Sequence, residues 1–233
     1  MSARLLCLGL LLLLIPRFAL AMDPWDPPGA CKAETWNDVE QWREWNSHTP
    51  PDNASRWAEE KSRYANNRDV WRVLDRLYIA ISGGKVLTLS DCAFGDDLHF
   101  YEYDRYDEAG EFHVVQTYFY EDYLYALVMR RTGRIYTIPG DPIRSPDRTR
   151  FAYAVCDLLN EKEEMAVLAM SGGQPKEEAK VELPCTWGEC KLAWENADTV
   201  ATTCTKVGEP GGERRVIRLS RRGGSWTSTT SNK

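Results

Sequence analysis

Between Gly110 and Met170 short aromatic and β-branched runs alternate with turn-forming residues, and that rhythm confines the chain to short antiparallel strands. Residues 112–120, 123–129, 134–138, 149–156 and 165–170 read as strands. Asp122-Tyr123, Arg131-Thr132-Gly133-Arg134 and Ser145-Pro146-Asp147 supply turns. Upstream, residues 77–81 and 86–89 flank Ser82-Gly83-Gly84-Lys85, a hairpin signal because Gly-Gly supplies the positive φ of a tight turn. A helix competes there, since Val70, Leu74, Leu77 and Ile81 also fit helical spacing, but β-branched content favours strands. Residues 98–105, 191–194, 199–205 and 214–220 extend the pattern, with 171–180 read as a polar loop.

Turns recurring at this pace imply a mainly β fold over residues 76–220, an antiparallel meander. Closure as a sandwich or barrel is the alternative to a small or partial propeller. Residues 22–75 form an extended and helical segment packed on the sheet, with helices expected at 35–46, 52–64 and 69–75. Trp36, Trp42, Trp45, Trp57 and Trp71 are read as packing residues. The Gly- and Ser-rich end, 221–233, reads as a flexible tail.

Residues 1–21 have an early Arg4, an apolar stretch from Leu5 to Ile15, Pro16, and Ala19-Leu20-Ala21. That is the pattern of a secretory signal peptide cleaved after Ala21, too short in its apolar part for a permanent anchor. The mature chain is then periplasmic or secreted, without membrane insertion. Cleavage removes Arg4 and Arg17 and no acid, so the net charge falls from −6 to −8. An acidic chain is a poor nucleic-acid binder and leaves a protein partner, including a basic one, as the expected class. Six cysteines remain after cleavage: Cys31, Cys92, Cys156, Cys185, Cys190 and Cys204. In an oxidising compartment they predict disulfides. A local Cys185–Cys190 bridge is expected first, then Cys31–Cys92 and Cys156–Cys204. Asn53-Ala54-Ser55 matches an N-glycosylation acceptor.

Thr132-Gly133-Arg134 followed by Ser145-Pro146-Asp147-Arg148-Thr149-Arg150-Phe151-Ala152-Tyr153 resembles the blade signature of exported WD40- and TolB-like β-propellers. Trp194-Glu195-Asn196-Ala197-Asp198-Thr199-Val200 is similar to a degenerate second copy. Arg148 stands where those repeats carry Gly, and the likeness covers residues 131–206. It implies a propeller-like meander, as in uncharacterised exported bacterial proteins, and implies no activity.

No catalytic signature, phosphate loop or cofactor motif is recognised. Asp97, His99 and His113 are the candidates for a metal or an acid–base pair, because pairing of the two flanking strands puts His99, Tyr101, His113 and Val115 on one face. Two half-exposed histidines on an aromatic strand pair are the favoured account, since no double-His helix motif supports a metal. Tyr101, Tyr103, Tyr118, Tyr120 and Tyr123 form the candidate binding surface, as strand alternation sends about half of such a ladder outward. The expected function is that of an exported, non-enzymatic binding protein without cofactor. An inhibitor or immunity-type protein is one form, a structural or assembly component of the envelope the alternative, and a metal-dependent hydrolase the least favoured.

Overall fold

A computed structural model describes residue 22 and residues 52–92, 98–119, 122–156, 163–184, 190–205 and 214–232. Helix α1 (Asp52–Tyr64) carries Lys61 and Arg63 in its last turn, where cations oppose the negative end of the helix dipole. The Asn67 N–H closes onto the Tyr64 carbonyl at 2.8 Å and ends it. Among the described residues, everything downstream of α1 is strand, turn or connecting segment. β1 (Val70–Val73), β2 (Arg76–Ile81) and β3 (Lys85–Ser90) make the first sheet. β4 (His99–Asp107), β5 (Phe112–Phe119), β6 (Tyr123–Met129) and β7 (Ile135–Ile138) make the second. β8 (Ile143–Arg144), β9 (Arg150–Cys156), β10 (Glu163–Ser171) and β11 (Gln174–Glu182) make the third, and β12 (Cys190–Asn196), β13 (Thr199–Thr205), β14 (Arg214–Arg222) and β15 (Ser225–Asn232) the fourth. In each sheet sequential strands pair antiparallel, so the described strands β1–β15 form a meander. The mainly β fold expected from the strand rhythm is the fold observed.

Successive sheets stack face to face through three apolar layers. Val70, Leu77, Ile79 and Leu89 meet Tyr101, Tyr103, Val115 and Val128. On the other face of the second sheet, Phe112, Val114, Leu127 and Met129 meet Phe151, Tyr153, Ala166 and Leu168. Ala152, Met165 and Val167 then meet Val200, Cys204, Ile217 and Leu219. The two middle sheets are thus covered on both faces. This explains why β5, β6 and β9 read as nearly continuous apolar runs rather than alternating ones.

Three elements differ from the sequence expectation. Residues 69–75 form strand β1 and a turn at Leu74 (φ 53°), not a helix. Cross-strand packing decides this: Val70 lies opposite Ile79, and Trp71 stacks on Tyr78 with ring centroids 5.4 Å apart. Residues 171–180 are a hairpin through Gly172-Gly173 (φ 65° and 77°) into β11, not a loop. β11 is an edge strand, and its Lys, Glu and Pro content suits an edge while hiding the strand signal. Likewise residues 225–232 are no tail: β15 pairs along its length with β14 through the Gly223-Gly224 turn.

The disulfide pairing also departs from expectation. Cys156, at the end of β9, is bonded to Cys190, at the start of β12, with Cα atoms 5.7 Å apart. This excludes both the Cys185–Cys190 and the Cys156–Cys204 bridges. Cys190 sits opposite Cys204 in the β12–β13 register. Cys92 and Cys204 are disulfide-bonded as well. Cys31 and Cys185, the expected helix at 35–46 and residues 1–21 lie outside the described residues. Among the described residues no helix is long and apolar enough to cross a membrane.

At Arg148, where the propeller-like motif would have Gly, φ is +63°. The preceding Asp147 carboxylate accepts from Ser145 Oγ at 2.6 Å and Thr149 Oγ1 at 2.8 Å, holding this turn in a conformation that Gly adopts without strain.

Candidate functional site

The expected tyrosine surface is core in large part. Tyr101 and Tyr103 are each 1 % exposed, because the first sheet covers the face of β4 from which they project. Tyr118 is half-buried, Tyr123 is exposed beside Tyr125, and Tyr120 lies outside the described residues. His99 and His113 do share a face with Tyr101 and Val115. The register nevertheless separates them: His99 lies opposite Phe119, and His113 opposite Tyr106 at the other end of the hairpin. His99 bonds the Ser90 carbonyl through Nε2 at 3.0 Å, and Asp97 lies outside the described residues. Among the described residues no group of three His, Cys, Asp or Glu is placed to hold a metal.

What the fold gathers instead is arginine. An open cleft of about 640 Å³ lies where the end of α1, the start of β1, the β4–β5 turn and the β8–β9 turn meet. Its walls carry Arg63 from α1, Arg105 from β4, Arg130 after β6, Arg144 from β8 and Arg148 from the following turn. Asn66, Asn67, Tyr103 and Tyr106 contribute neutral polar and aromatic surface, and Asp69, Asp107 and Glu108 contribute carboxylates. The bulge between Tyr103 and Arg105 adds a residue to β4, so Arg105 and Tyr106 are re-aimed relative to the regular alternation.

The arginines fall into two kinds. Arg144 donates from Nε to Asp107 Oδ2 at 2.9 Å and from Nη2 to Asp107 Oδ1, and stacks within 5.4 Å of the Phe112 and 5.3 Å of the Phe151 ring centroid. Arg105 is spent on Asp104, Asp141 and the Pro142 carbonyl. These two are part of the wall. Arg63 donates through Nη1 to the buried Glu102 at 2.6 Å and to the Tyr103 carbonyl at 3.4 Å, and its Nη2 lies 3.9 Å from Glu59. Arg130 donates Nη2 to Asp69 at 2.8 Å and sits 5.6 Å over the Tyr106 ring. Arg148 approaches Glu108 at 3.8 Å and is 65 % exposed.

Behind the cleft a polar chain runs into the core. Asn67 Nδ2 donates to Tyr103 Oη at 3.0 Å, and Tyr103 Oη stands 3.3 Å from His113 Nδ1. Burial pushes the Tyr103 hydroxyl up to about 12 and the His113 imidazole down to about 4, although Asp69 opposes the latter shift. His113 is therefore neutral at pH 7. Its Nε2 is buried without a hydrogen-bond partner.

A second network meets the backbone of Tyr103, a cleft residue. Arg72 donates Nε and Nη2 to the two Glu60 oxygens at 2.6 and 3.0 Å, Nη1 to Asp91 at 2.9 Å, and Nη2 also to the Tyr101 carbonyl. Glu60 Oε1 accepts from the Tyr103 N–H at 2.8 Å, and Asp91 Oδ1 from the Tyr101 N–H at 2.8 Å. The hub ties α1, β1 and β4 together. None of this is readable from spacing, because the cleft arginines are spread from position 63 to 148 and converge only through sheet stacking.

No protein-family profile matches the chain, and no curated protein is significantly similar to it. The site therefore has to speak through its chemistry. Guanidinium, carboxamide, phenol and carboxylate groups around an open cleft are a hydrogen-bonding surface, suited to a polar ligand.

Proposed function

We propose that this chain is an exported, non-enzymatic binding protein that recognises another macromolecule, and that the arginine-lined cleft is where it does so. The carrying observation is the convergence of five guanidinium groups on one open cleft whose other lining groups are also hydrogen-bonding. The signal-like residues 1–21 and the disulfide-bonded cysteines support export, since disulfides persist in oxidising compartments. The Tyr-rich sheet is not the recognition surface in this reading. It is the scaffold that holds the cleft.

A second reading, an inhibitor or immunity-type protein with a basic protein partner, draws on the net charge of −8 after cleavage. One experiment addresses both. The oxidised mature protein, immobilised, is exposed to an envelope extract at low and high salt, and the retained protein and carbohydrate are analysed. Retention at low salt with release at high salt is the expected outcome, because contacts at an exposed cleft are screened. A basic protein among the retained species supports the second reading; no retention at either salt removes the binding function.

A further inference from the structure

We infer that β15 is a self-association edge: two copies of this chain pair β15 to β15, antiparallel, and join their fourth sheets into one continuous sheet across a two-fold axis. The fourth sheet contributes nothing to the cleft lining, so this interface is independent of the cleft.

β15 (Ser225–Asn232) is the last strand in the order β12–β13–β14–β15 and pairs only with β14. Their register runs from Arg222↔Ser225 to Arg215↔Asn232 without a shift. The Arg221 N–H donates to the carbonyl of Asp198, just before β13, at 2.8 Å, so Arg221 faces the β13 side of β14. Trp226 lies opposite Arg221 and therefore turns its own N–H and C=O away from β14. Strand alternation gives Ser228, Thr230 and Asn232 the same outward direction. Among the described residues no further strand meets these groups.

An open edge is a template for pairing, and proteins blunt it with charge, proline, bulges or cover. The other long edges here are blunted. β11 carries Pro175, Lys176, Glu177 and Lys180. β12 carries Lys191 and Glu195 and shifts register between Trp194 and Asn196. β4 is bulged between Tyr103 and Arg105, and Glu60 of α1 takes its Tyr103 N–H. β3 opens with Lys85, and its Ser90 carbonyl meets His99. β1, β7 and β8 span four residues or fewer. β15 has eight residues, no charge, no proline and no bulge, and all of them except Trp226 are exposed.

Symmetry selects a second copy as the occupant. A strand that pairs with itself about a two-fold axis brings any charge it carries close to the same charge of its mate, and like charges directly opposite destabilise a sheet. β15 carries none. An axis at Thr229 sets Trp226 opposite the partner's Asn232 and Ser228 opposite the partner's Thr230, with the reciprocal pairs, so every outward backbone group finds a mate. The contact consumes the open edge, and the far edge β12 is blunted, so association closes at a dimer.

The test is sedimentation-velocity ultracentrifugation of the oxidised mature protein over a hundredfold range of concentration. A monomer–dimer equilibrium that saturates at the dimer is expected. Ser228→Pro removes an outward N–H and spares the β14 ladder, because proline is tolerated on the open side of an edge strand. It should dimerise at least tenfold more weakly with an unchanged melting temperature, while Lys85→Ala, on the first sheet, should associate as the parent does. Thr229 is exposed, and alternation puts its side chain on the face away from Trp226. Thr229→Lys and Thr229→Glu should each dimerise at least tenfold more weakly, because like charges then meet on the axis, and an equimolar mixture of the two should recover the parent's association. That recovery decides the matter if Ser228→Pro melts lower. A parent that stays monomeric at every concentration, assembly that grows past the dimer, a dimer indifferent to a natively folded Ser228→Pro, or a mixture no better than either charged variant alone would each overturn the inference.

Discussion

The seam between the first two sheets is held by buried ions, whereas the seam between the last two is held by a covalent bridge. At the first, Glu60, Arg72 and Asp91 link α1 and the first sheet to the β4 backbone, with Glu60 1 % exposed. At the other, Cys156–Cys190 crosses from β9 to β12 directly. The outer faces differ in the same sense. Trp71, Val73, Tyr78 and Val86 make the first sheet's outer face aromatic and apolar, while Lys191, Glu195, Arg218, Thr227 and Thr229 make that of the fourth polar. The lesson is that one stacking principle tolerates two kinds of fastening, and each is sensitive to a different solution variable. The ion network answers to charge state and the Cys156–Cys190 bridge to redox state, as does the disulfide of Cys92 at the first end.

The largest effect is expected at the ion network. Removing one member of a buried pair leaves the other charge uncompensated, at a cost of about 3–5 kcal/mol. Arg72→Ala leaves the buried Glu60 carboxylate without its cationic partner. Hydrogen exchange should show the loss of protection concentrated in β1–β3 and β4, with β12–β14 retaining theirs. A uniform loss along the chain would mean that the stack unfolds as one unit, and the contrast between its ends would vanish.

Opening the bridge is the reciprocal experiment. Cys156 and Cys190 are 34 residues apart in sequence, and a closed loop of that order contributes about 3–4 kcal/mol in the chain-entropy account. The C156A/C190A variant should lose protection first in β12–β15, and its urea midpoint should fall while that of the first sheet's local opening stays put. Equal sensitivity of β1–β3 would again merge the two ends.

How much of this was legible beforehand follows from where the information resides. Strands β2 to β7, β9, β10 and β13 announce themselves locally, through β-branched and aromatic runs and through turns such as Gly83-Gly84. β11 and β15 do not, because an edge strand satisfies its backbone on one side and its solvent-facing residues are polar, so its sequence resembles a loop. β1 carries a helical spacing and a strand composition at once, and only its pairing with β2 resolves the ambiguity. The Tyr ladder was recognised as a feature but placed on a surface, since nothing local says that sheets lie on both sides of β4–β7. The cleft and the Glu60–Arg72–Asp91 hub are products of stacking, and no periodicity encodes them. The disulfide was misassigned for the same reason: its partners are close only because the third and fourth sheets face each other.

The smallest of the three expected effects distinguishes the ends by pH. His113 projects from β5 towards the first sheet, behind Tyr103 and 4.8 Å from the Tyr106 ring, and burial pushes it down to about 4. An unfolded chain has this imidazole near its ordinary value of about 6.5. Between those values the unfolded state binds a proton that the folded state refuses. The contribution of neutral His113 is thus complete above about pH 6.5 and is lost progressively as pH falls towards 4. Each unit of difference corresponds to about 1.4 kcal/mol, so the loss approaches about 3 kcal/mol at its limit. Carboxylates elsewhere add their own acid loss, and the comparison with His113→Gln removes it: the parent should lose about 2–3 kcal/mol more than the variant between pH 7 and pH 4. Asp69 and Arg130, the charged pair nearest the ring in effect, act on it in opposite directions. Asp69→Asn should therefore lower the imidazole further and extend the acid limb. Parallel stability curves for the parent and His113→Gln would show that the first end carries no such proton-linked weakness, leaving the ion network as its sole distinguishing fastening.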